Sequence, residues 1–315
     1  MARFFRQALD DQFTGSLAYL DSQRSLFRND RASGLFEIQA TASELVILLF
    51  AGGDEAKAYR LGPESCAQIS PAKIGTDWVK KEVPIRTVNL PSQASRAIWL
   101  ALESQPKTRQ EIRGIGEWNK LLEACLAERM TGLIEVASDS CDGFILLYEG
   151  VPVKSEAIFS TTQGFQTGLL TAQQYLDSPW QITIYAVKLA SQAYQCALLR
   201  LSATEWSSGI LARYRDLVGQ KMLQTLNANL NMLIAPKQWD IHLVGGSISD
   251  QHFFPQLQQA VDAYREVFMA IGEQANLVLG NTLSQRLLGE TFNQLSKEEL
   301  ALFEAQRLIP AAFLA

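Results

Sequence analysis

Short runs of strand-favouring residues recur along the first part of the chain. Leu35–Ile38 and Leu133–Val136 are the shorter runs, and Val46–Phe50 and Phe144–Tyr148 are longer and more apolar. Glycine-containing segments bound these runs, which is typical of antiparallel hairpins. A helix is predicted just before the second set, where apolar residues follow helical spacing: Trp118, Leu121, Leu122, Cys125 and Leu126.

This pattern is an internal repeat. Residues 31–52 and 129–150 align without gaps and share eight identities in 22 positions. The identical pairs are Arg31/Arg129, Gly34/Gly132, Leu35/Leu133, Glu37/Glu135, Ile47/Ile145, Leu48/Leu146, Leu49/Leu147 and Gly52/Gly150. The alternative is that two hairpins of like composition resemble each other by chance.

A second block of similarity follows in the same order. Residues 88–102 and 187–201 share seven identities in 15 positions, with the offset between the copies changed by one residue. In each copy a predicted strand leads into a helix, with Ser92 or Ser191 as the predicted N-cap. Two blocks in one order favour a tandem duplication over chance similarity, and they predict that 31–61 and 129–159 form the same strand hairpin.

These residues resemble the PATAN-like domains of bacterial response-regulator-type proteins. The matching text is MTGLIEVASDSCDGFILLYEGVPVKSEAIF at residues 130–159, with a second copy, SGLFEIQATASELVILLFAGGDEAKAYRL, at residues 33–61. The resemblance implies regulatory protein–protein contacts, often beside a receiver domain and in the control of motility or development. No receiver-domain pattern is evident in this sequence.

The pattern changes after the repeats. Ile210–Ile234 is predicted as one long helix, interrupted at Gly219 at a cost of about 1 kcal/mol relative to Ala. Trp239–Val244 alternates like a short strand and is closed by Gly245-Gly246. Ser249-Asp250 then resembles a helix start.

Three further helices are predicted in the C-terminal region. The first carries an apolar stripe at helical spacing, formed by Leu257, Val261, Tyr264, Phe268 and Ile271. Leu277–Leu288 and Lys297–Leu308 are the other two, and Ser296 with Glu299 is a predicted capping box for the last. The stripe has two interpretations, the core of a helical bundle or a surface for dimerisation or partner docking.

The predicted fold class is therefore α+β, with two tandem repeats of a small antiparallel-sheet-plus-helix unit and a helix-rich C-terminal region. The predicted domains are residues 1–107, 108–206 and 207–315. The hydrophobic fraction is 47% and the charged fraction is 19%, which fits a globular protein that can fill real cores.

Net charge, cysteine content and the lengths of apolar runs limit the partners and the compartment to be expected. The net charge of −5 argues against a nucleic-acid partner, because such a surface is normally basic. Cys66, Cys125, Cys141 and Cys196 form no CxxC pair, which predicts reduced thiols in a cytoplasm. The first residues lack the apolar stretch of a signal peptide, and no apolar run is long enough for an integral membrane span.

Candidate chemistry is sparse. His242 and His252 stand ten positions apart without an acidic cluster, and no Cys/His spacing supports zinc. The segment from Gly245 to Ser249 lacks phosphate-loop spacing and is interpreted as a turn. Asp139, Asp142 and Glu149 do not fit a calcium loop and are interpreted as solvated turn residues. No catalytic, cofactor-binding or metal-binding residue is assigned, and no cofactor is expected.

The tryptophans could mark a partner surface, since interfaces favour aromatic residues, but core packing is the favoured interpretation of Trp78, Trp99, Trp180 and Trp206. The functional expectation is a non-catalytic signalling or adaptor protein with a protein partner, and homodimerisation stays open. The alternative is a sensor that binds a nucleotide or metabolite between the repeats. An enzyme is the third hypothesis.

Overall fold

A computed structural model describes residues 4–8, 10–63, 65–74, 82–169 and 178–309. The chain divides into two compact units, residues 1–193 and residues 194–315. The predicted domain boundary at 107/108 falls inside a strand of the first unit, and the boundary at 206/207 falls inside a helix. No helix in the part of the chain that the structure describes combines the length and apolar character needed to cross a bilayer.

The first unit contains two antiparallel sheets. In sheet A the strand order is β1-β6-β2-β3-β4-β5. Its strands are β1 (Asp10–Gly15), β2 (Gly34–Thr41), β3 (Glu44–Ala51), β4 (Asp54–Leu61), β5 (Cys66–Ile69) and β6 (Val83–Asn89). Helix α1 (Leu17–Asn29) follows β1, a 3₁₀ turn (Pro71–Lys73) follows β5, and helix α2 (Ser92–Glu103) follows β6.

Sheet B repeats this arrangement. Its order, read from the corresponding edge, is β7-β12-β8-β9-β10-β11. Its strands are β7 (Gln105–Ile112), β8 (Gly132–Ala137), β9 (Cys141–Tyr148), β10 (Val151–Thr161), β11 (Gly164–Thr167) and β12 (Trp180–Ala186). Helix α3 (Gly114–Ala127) follows β7, as α1 follows β1. The α+β class, the tandem sheet units and the common hairpin of 31–61 and 129–159 are confirmed.

The backbone register corrects the sequence alignment within the hairpin. Gly34 of β2 pairs with Phe50 of β3, whereas Gly132 of β8 pairs with Leu147 of β9. Phe50 therefore corresponds to Leu147, one position earlier than the ungapped alignment placed it. Because neighbouring strand residues face opposite sides of a sheet, the ungapped alignment of β3 with β9 matched inward with outward positions and was wrong there.

The helices that follow the edge strands cover one face of each sheet. In sheet A, Leu20 and Phe27 of α1 pack on a core that includes Phe36 and Leu48 of the sheet. Under α3, the equivalent core is built from Trp118, Leu121, Cys125, Ile134 and Ile145. The predicted helix at Trp118–Leu126 is thus confirmed.

Helix α2 contacts strands of both sheets. Residues Gln93 to Leu102 of this helix are all buried. A helix enclosed on every side has no solvent-facing stripe, which explains its nearly continuous burial. Pro91, rather than the predicted Ser92, occupies the N-cap position.

In the second unit the described residues form five helices and one hairpin. They are α4 (Gln192–Val218), α5 (Gln220–Ile234), a 3₁₀ turn (Ala235–Lys237), β13 (Ile241–Val244), β14 (Ser247–Asp250), α6 (Leu257–Leu279), α7 (Asn281–Phe292) and α8 (Lys297–Ala305). The core includes the predicted stripe, and Trp206, Phe268 and Phe303 lie within it. The capping box of Ser296 and Glu299 is present at the start of α8.

Three predictions for this region were wrong. The predicted helix Leu277–Leu288 contains a break, because Gly280 takes φ of 76° and lies between the end of α6 and the start of α7. The predicted helix Ile210–Ile234 is two helices, because Gly219 takes φ of 86° and ends α4. The predicted helix start at Ser249-Asp250 is strand β14. Gly245 and Gly246, with φ of 63° and 94°, form the two-residue turn that joins β13 to β14, a conformation that glycine adopts without steric cost.

Candidate functional site

An acidic residue occupies the same strand position in both repeats. Glu37 in β2 and Glu135 in β8 are equivalent in sequence and in register. Both lie on the face turned away from the cores under α1 and α3, since Phe36 and Ile134 point into those cores. The sequence shows this identity, but it gives no reason to expect burial of a charge.

Glu37 forms a buried ion pair with Arg86 of β6. The Nη1 atom of Arg86 lies 3.1 Å from Oε2 of Glu37, and the side chains are 3% and 2% exposed. β2 and β6 are neighbouring strands, and their register places these two residues directly opposite each other. Charges this deeply buried need further hydrogen bonds to offset their desolvation.

A short segment, residues 4–8, supplies those hydrogen bonds. The backbone N–H of Phe4 donates to Oε1 of Glu37 at 3.1 Å. Arg86 donates from Nη1 to the Phe4 carbonyl at 2.9 Å and from Nη2 to the Phe5 carbonyl at 2.8 Å. Both charges of the pair are therefore satisfied partly by the backbone of this segment.

The same segment also contacts sheet B. The backbone N–H of Arg6 donates to Oδ2 of Asp142, at the start of β9. Burial raises the pKa of Asp142 to about 6, and the backbone N–H groups of Arg6 and Gln7 with the guanidiniums of Arg6 and Arg86 oppose that rise. Asp142 was predicted as a solvated turn residue, and that prediction was wrong: only 5% of its surface is exposed.

Glu135 is held differently. The hydroxyl of Tyr185 in β12 donates to Oε2 of Glu135 at 2.6 Å. Burial raises the pKa of Glu135, while Tyr185, Arg109 and Arg6 act in the opposite direction. The two equivalent glutamates therefore have different partners. Glu37 contacts Arg86 and the backbone of Phe4, whereas Glu135 accepts a hydrogen bond from Tyr185.

A cavity of about 360 Å³ adjoins the Glu37–Arg86 pair. Its wall is mainly polar and is formed by Gln12, Thr14, Glu37, Gln39, Leu45, Pro84, Ile85 and Arg86. Every one of these residues belongs to the first repeat. The volume is in the range of small-molecule sites.

A second polar cluster surrounds Trp99 in α2. Its indole N–H lies 2.8 Å from Oε1 of Glu103 and 2.9 Å from the Tyr59 hydroxyl, which donates to the same carboxylate at 2.7 Å. The ammonium of Lys57 lies 5.0 Å from the centre of the Trp99 ring. These contacts fasten α2 to β4 within the first unit.

The other predicted tryptophans are core residues. Trp180 and Trp206 are each no more than 2% exposed, as is Trp99, which is the outcome that the favoured interpretation predicts. Trp78 lies outside the described residues.

Two of the remaining candidates meet at Asp240, whose backbone N–H donates to Nδ1 of His252 at 3.4 Å and whose carboxylate contacts His242. His242 bonds Asp240 at 2.9 Å, and His252 packs on Phe254 with ring centres 4.4 Å apart. Glu149 pairs with Arg129 at 2.7 Å. Among the residues that the structure describes, no group of three or more His, Cys, Asp or Glu side chains could hold a metal ion.

In the second unit, α5 and α6 run antiparallel and are joined on their outer side. Asn229 donates to Gln274 at 3.2 Å, and Lys237 pairs with Glu266 at 2.7 Å. Residues three or four positions from these contacts lie on the same side of each helix. Among them are four exposed apolar residues: Leu233, Met269, Leu277 and Val278, with exposures of 54%, 41%, 77% and 43%. We name these four residues the α5–α6 surface.

Comparison of the chain with protein-family models, curated proteins and solved structures found no match. The PATAN-like resemblance therefore stays a prediction.

Proposed function

We propose that the chain is a non-catalytic signalling or adaptor protein of the cytoplasm that acts through contacts with a protein partner. The α5–α6 surface is the observation that carries this proposal. The PATAN-like resemblance of the repeats supports a place in a bacterial regulatory pathway, for example one that controls motility.

The α5–α6 surface has the composition of an interaction site. Single exposed apolar residues are ordinary, but neighbouring ones rimmed by polar groups mark surfaces that bind other proteins. Here Leu233, Met269 and Val278 adjoin the polar contacts Asn229–Gln274 and Lys237–Glu266. Protein interfaces combine apolar side chains with hydrogen-bonded polar groups in this way.

The test compares partners recovered by cross-linking in the native cell with the wild-type chain and with Leu277→Glu/Val278→Glu. We expect a reproducible partner to be lost with the double variant. The control is Leu126→Glu, at an equally accessible leucine of α3 (54% exposed), which should retain the partner. Retention by all three chains, or no partner for any of them across several growth conditions, would refute the adaptor proposal.

The cavity favours a second candidate function, a small-molecule sensor. Its lining belongs to the first repeat, whereas the sequence predicted a ligand between the repeats. A ligand that binds only the folded state raises the melting temperature, so nucleotides and common metabolites can be screened by thermal shift. The shift should vanish in Thr14→Trp, which fills the cavity from its exposed edge. A shift of equal size in both chains would place the ligand elsewhere.

A further inference from the structure

Residues 4–8 form no strand or helix, and hydrogen bonds between their backbone and side chains of the two sheets keep them in place. The segment turns back on itself, with the N–H of Ala8 donating to the carbonyl of Phe5 at 3.1 Å. Phe5 has φ of 49°, a left-handed conformation that is unfavourable for an aromatic residue. The surrounding contacts must therefore offset a local conformational cost.

Three buried charged residues recognise the backbone of this segment. Glu37 accepts from the N–H of Phe4, Arg86 donates to two carbonyls, and Asp142 accepts from the N–H of Arg6. The exposed fractions of Glu37, Arg86 and Asp142 are 3%, 3% and 5%. Hydrogen bonds to backbone groups from ionised side chains are strong and do not depend on which side chains the bound segment carries.

Two aromatic rings supply the side-chain contacts. The ring centres of Phe4 and Phe5 lie 5.9 and 5.5 Å from that of Phe144 in β9. Phe5 also packs edge-on against Phe165 of β11, at 5.4 Å. Phe5 is 2% exposed, so it fills an enclosed site to which sheet B contributes Phe144 and Phe165.

We infer that this groove, formed by Glu37, Arg86, Asp142, Phe144 and Phe165, is a peptide-binding site that residues 4–8 occupy in the described state. Its external ligand is a turn with two consecutive aromatic residues, presented by a partner protein. The groove binds backbone groups and two rings, and any segment with those features can make the same contacts. The left-handed conformation of Phe5 weakens the internal occupant, and a turn that a partner's own fold already holds in this conformation does not incur the same cost on binding.

This inference goes beyond the proposed adaptor role, because it assigns a second binding site, on the first unit. The α5–α6 surface lies in the second unit. Substitutions at Leu277 and Val278 therefore test the adaptor surface alone, and substitutions in the groove test the peptide site alone.

The experiment vacates the groove in the full chain with Phe4→Ser/Phe5→Ser. A fluorescein-labelled peptide of residues 1–9 is then titrated against this variant and against wild type, with anisotropy as the readout. We expect saturable binding to the variant at least tenfold tighter than to wild type, where the internal segment competes. A peptide carrying serine in place of both phenylalanines should bind at least tenfold more weakly, and adding Asp142→Asn should weaken binding of the native peptide.

Equal binding of the two peptides, or no binding by a vacated chain that keeps its circular dichroism, would overturn the inference. If the Phe4→Ser/Phe5→Ser chain does not fold, amide hydrogen exchange of the wild-type chain tests whether the segment leaves the groove. Exchange of the Phe4 and Arg6 amides well before the Ile47 amide of β3 would show that the segment leaves a folded groove. Exchange of all three at one rate would mean that the segment is a fixed part of the fold and would refute the site.

Discussion

The guanidinium of Arg86 lies 3.1 Å from the carboxylate of Glu37, and neither side chain has more than 3% of its surface exposed. The pair joins two adjacent strands of sheet A, and both of its members also form hydrogen bonds with backbone groups of residues 4–8. The contact is therefore a point at which the sheet and the segment of residues 4–8 depend on each other.

Replacing Arg86 by methionine should strongly destabilise the first unit. The change removes the guanidinium that donates to the buried carboxylate of Glu37 and to the carbonyls of Phe4 and Phe5. Removing one partner of a buried pair costs about 3–5 kcal/mol, so we expect a loss of that order in the free energy of unfolding. Urea denaturation followed by circular dichroism measures it.

A matched control comes from an exposed pair. Arg113 lies 2.8 Å from Glu111, and these side chains are 74% and 41% exposed. Because exposed pairs contribute only about 0–1 kcal/mol, Arg113→Met should leave the urea midpoint nearly unchanged. Equal losses for the two variants would contradict the role assigned to burial.

Stability should depend on pH through Asp142. Its pKa is raised to about 6 in the folded chain, mainly by burial, and its facing groups are Arg6, Arg86 and Cys141. A carboxyl whose pKa is higher when folded stabilises the fold while protonated. Its contribution is thus complete below pH 4 and is lost as the pH rises through about 6.

The size of this effect follows from the difference in pKa. A rise from 3.8 to about 6 corresponds to roughly 3 kcal/mol. Asp142→Asn cannot ionise, so the free energy of unfolding of the variant relative to wild type should increase between pH 4 and 7. Parallel stability curves for the two chains across this interval would show that Asp142 has an ordinary pKa.

The sequence predicted the repeated strands but not their full register. The run Val46–Phe50 is buried on both faces of sheet A, so its apolar pattern does not reveal which residues point inward. Strand β2 has a bulge between Gln39 and Thr41, so the connection between the equivalent pairs Gln39–Leu45 and Ala137–Asp142 is one residue longer in the first repeat. An ungapped alignment carries that difference into the next strand. Only the backbone pairing distinguishes the two registers.

Edge strands and the groove were harder to predict. β7 is exposed along nearly its whole length and has no alternating pattern, which is common for an edge strand. Asp142 resembled a turn residue because the backbone groups that contact it, those of Arg6 and Gln7, are distant in sequence. Identity of Glu37 with Glu135 was the only signal of the groove in the sequence, and identity alone does not indicate a charge partner.

The corrected register makes Gly53 and Gly150 equivalent residues of the turn after β3 and β9. Gly53 and Gly150 make the same contact, with their N–H groups donating to Ala32 and Met130 at 2.8 and 2.7 Å. A Cβ at Gly150 would lie 2.5 Å from the carbonyl oxygen of Cys125, whereas Gly164 has open space. Gly150 and Gly164 both have positive φ, of 82° and 100° respectively.

Gly150→Ala should therefore be more destabilising than Gly164→Ala. Both variants incur the cost of a left-handed conformation, about 1–2 kcal/mol. Gly150→Ala adds overpacking against α3, typically about 1–3 kcal/mol more. Thermal unfolding of the two variants gives the comparison, and a lower melting temperature for Gly164→Ala would be inconsistent with the close approach at Gly150.

Two adjacent residues of α6 differ in exposure: Phe268 belongs to the apolar stripe and is buried, whereas Met269 faces solvent. Phe268 is 1% exposed, and its ring centre lies 4.6 Å from that of Trp206 and 5.7 Å from that of Phe303. Truncation to alanine would leave a cavity and cost about 3–5 kcal/mol, so Phe268→Ala should lower the melting temperature by many degrees. Met269→Ala, at a side chain that is 41% exposed, should leave the melting curve within about 0.5 kcal/mol of wild type. Cross-linking should give the opposite order: Met269→Ala should recover less of the partner, because it removes part of the α5–α6 surface while the fold stays intact. An unchanged melting curve for Phe268→Ala would show that the stripe is a docking face and that the core of the second unit lies elsewhere.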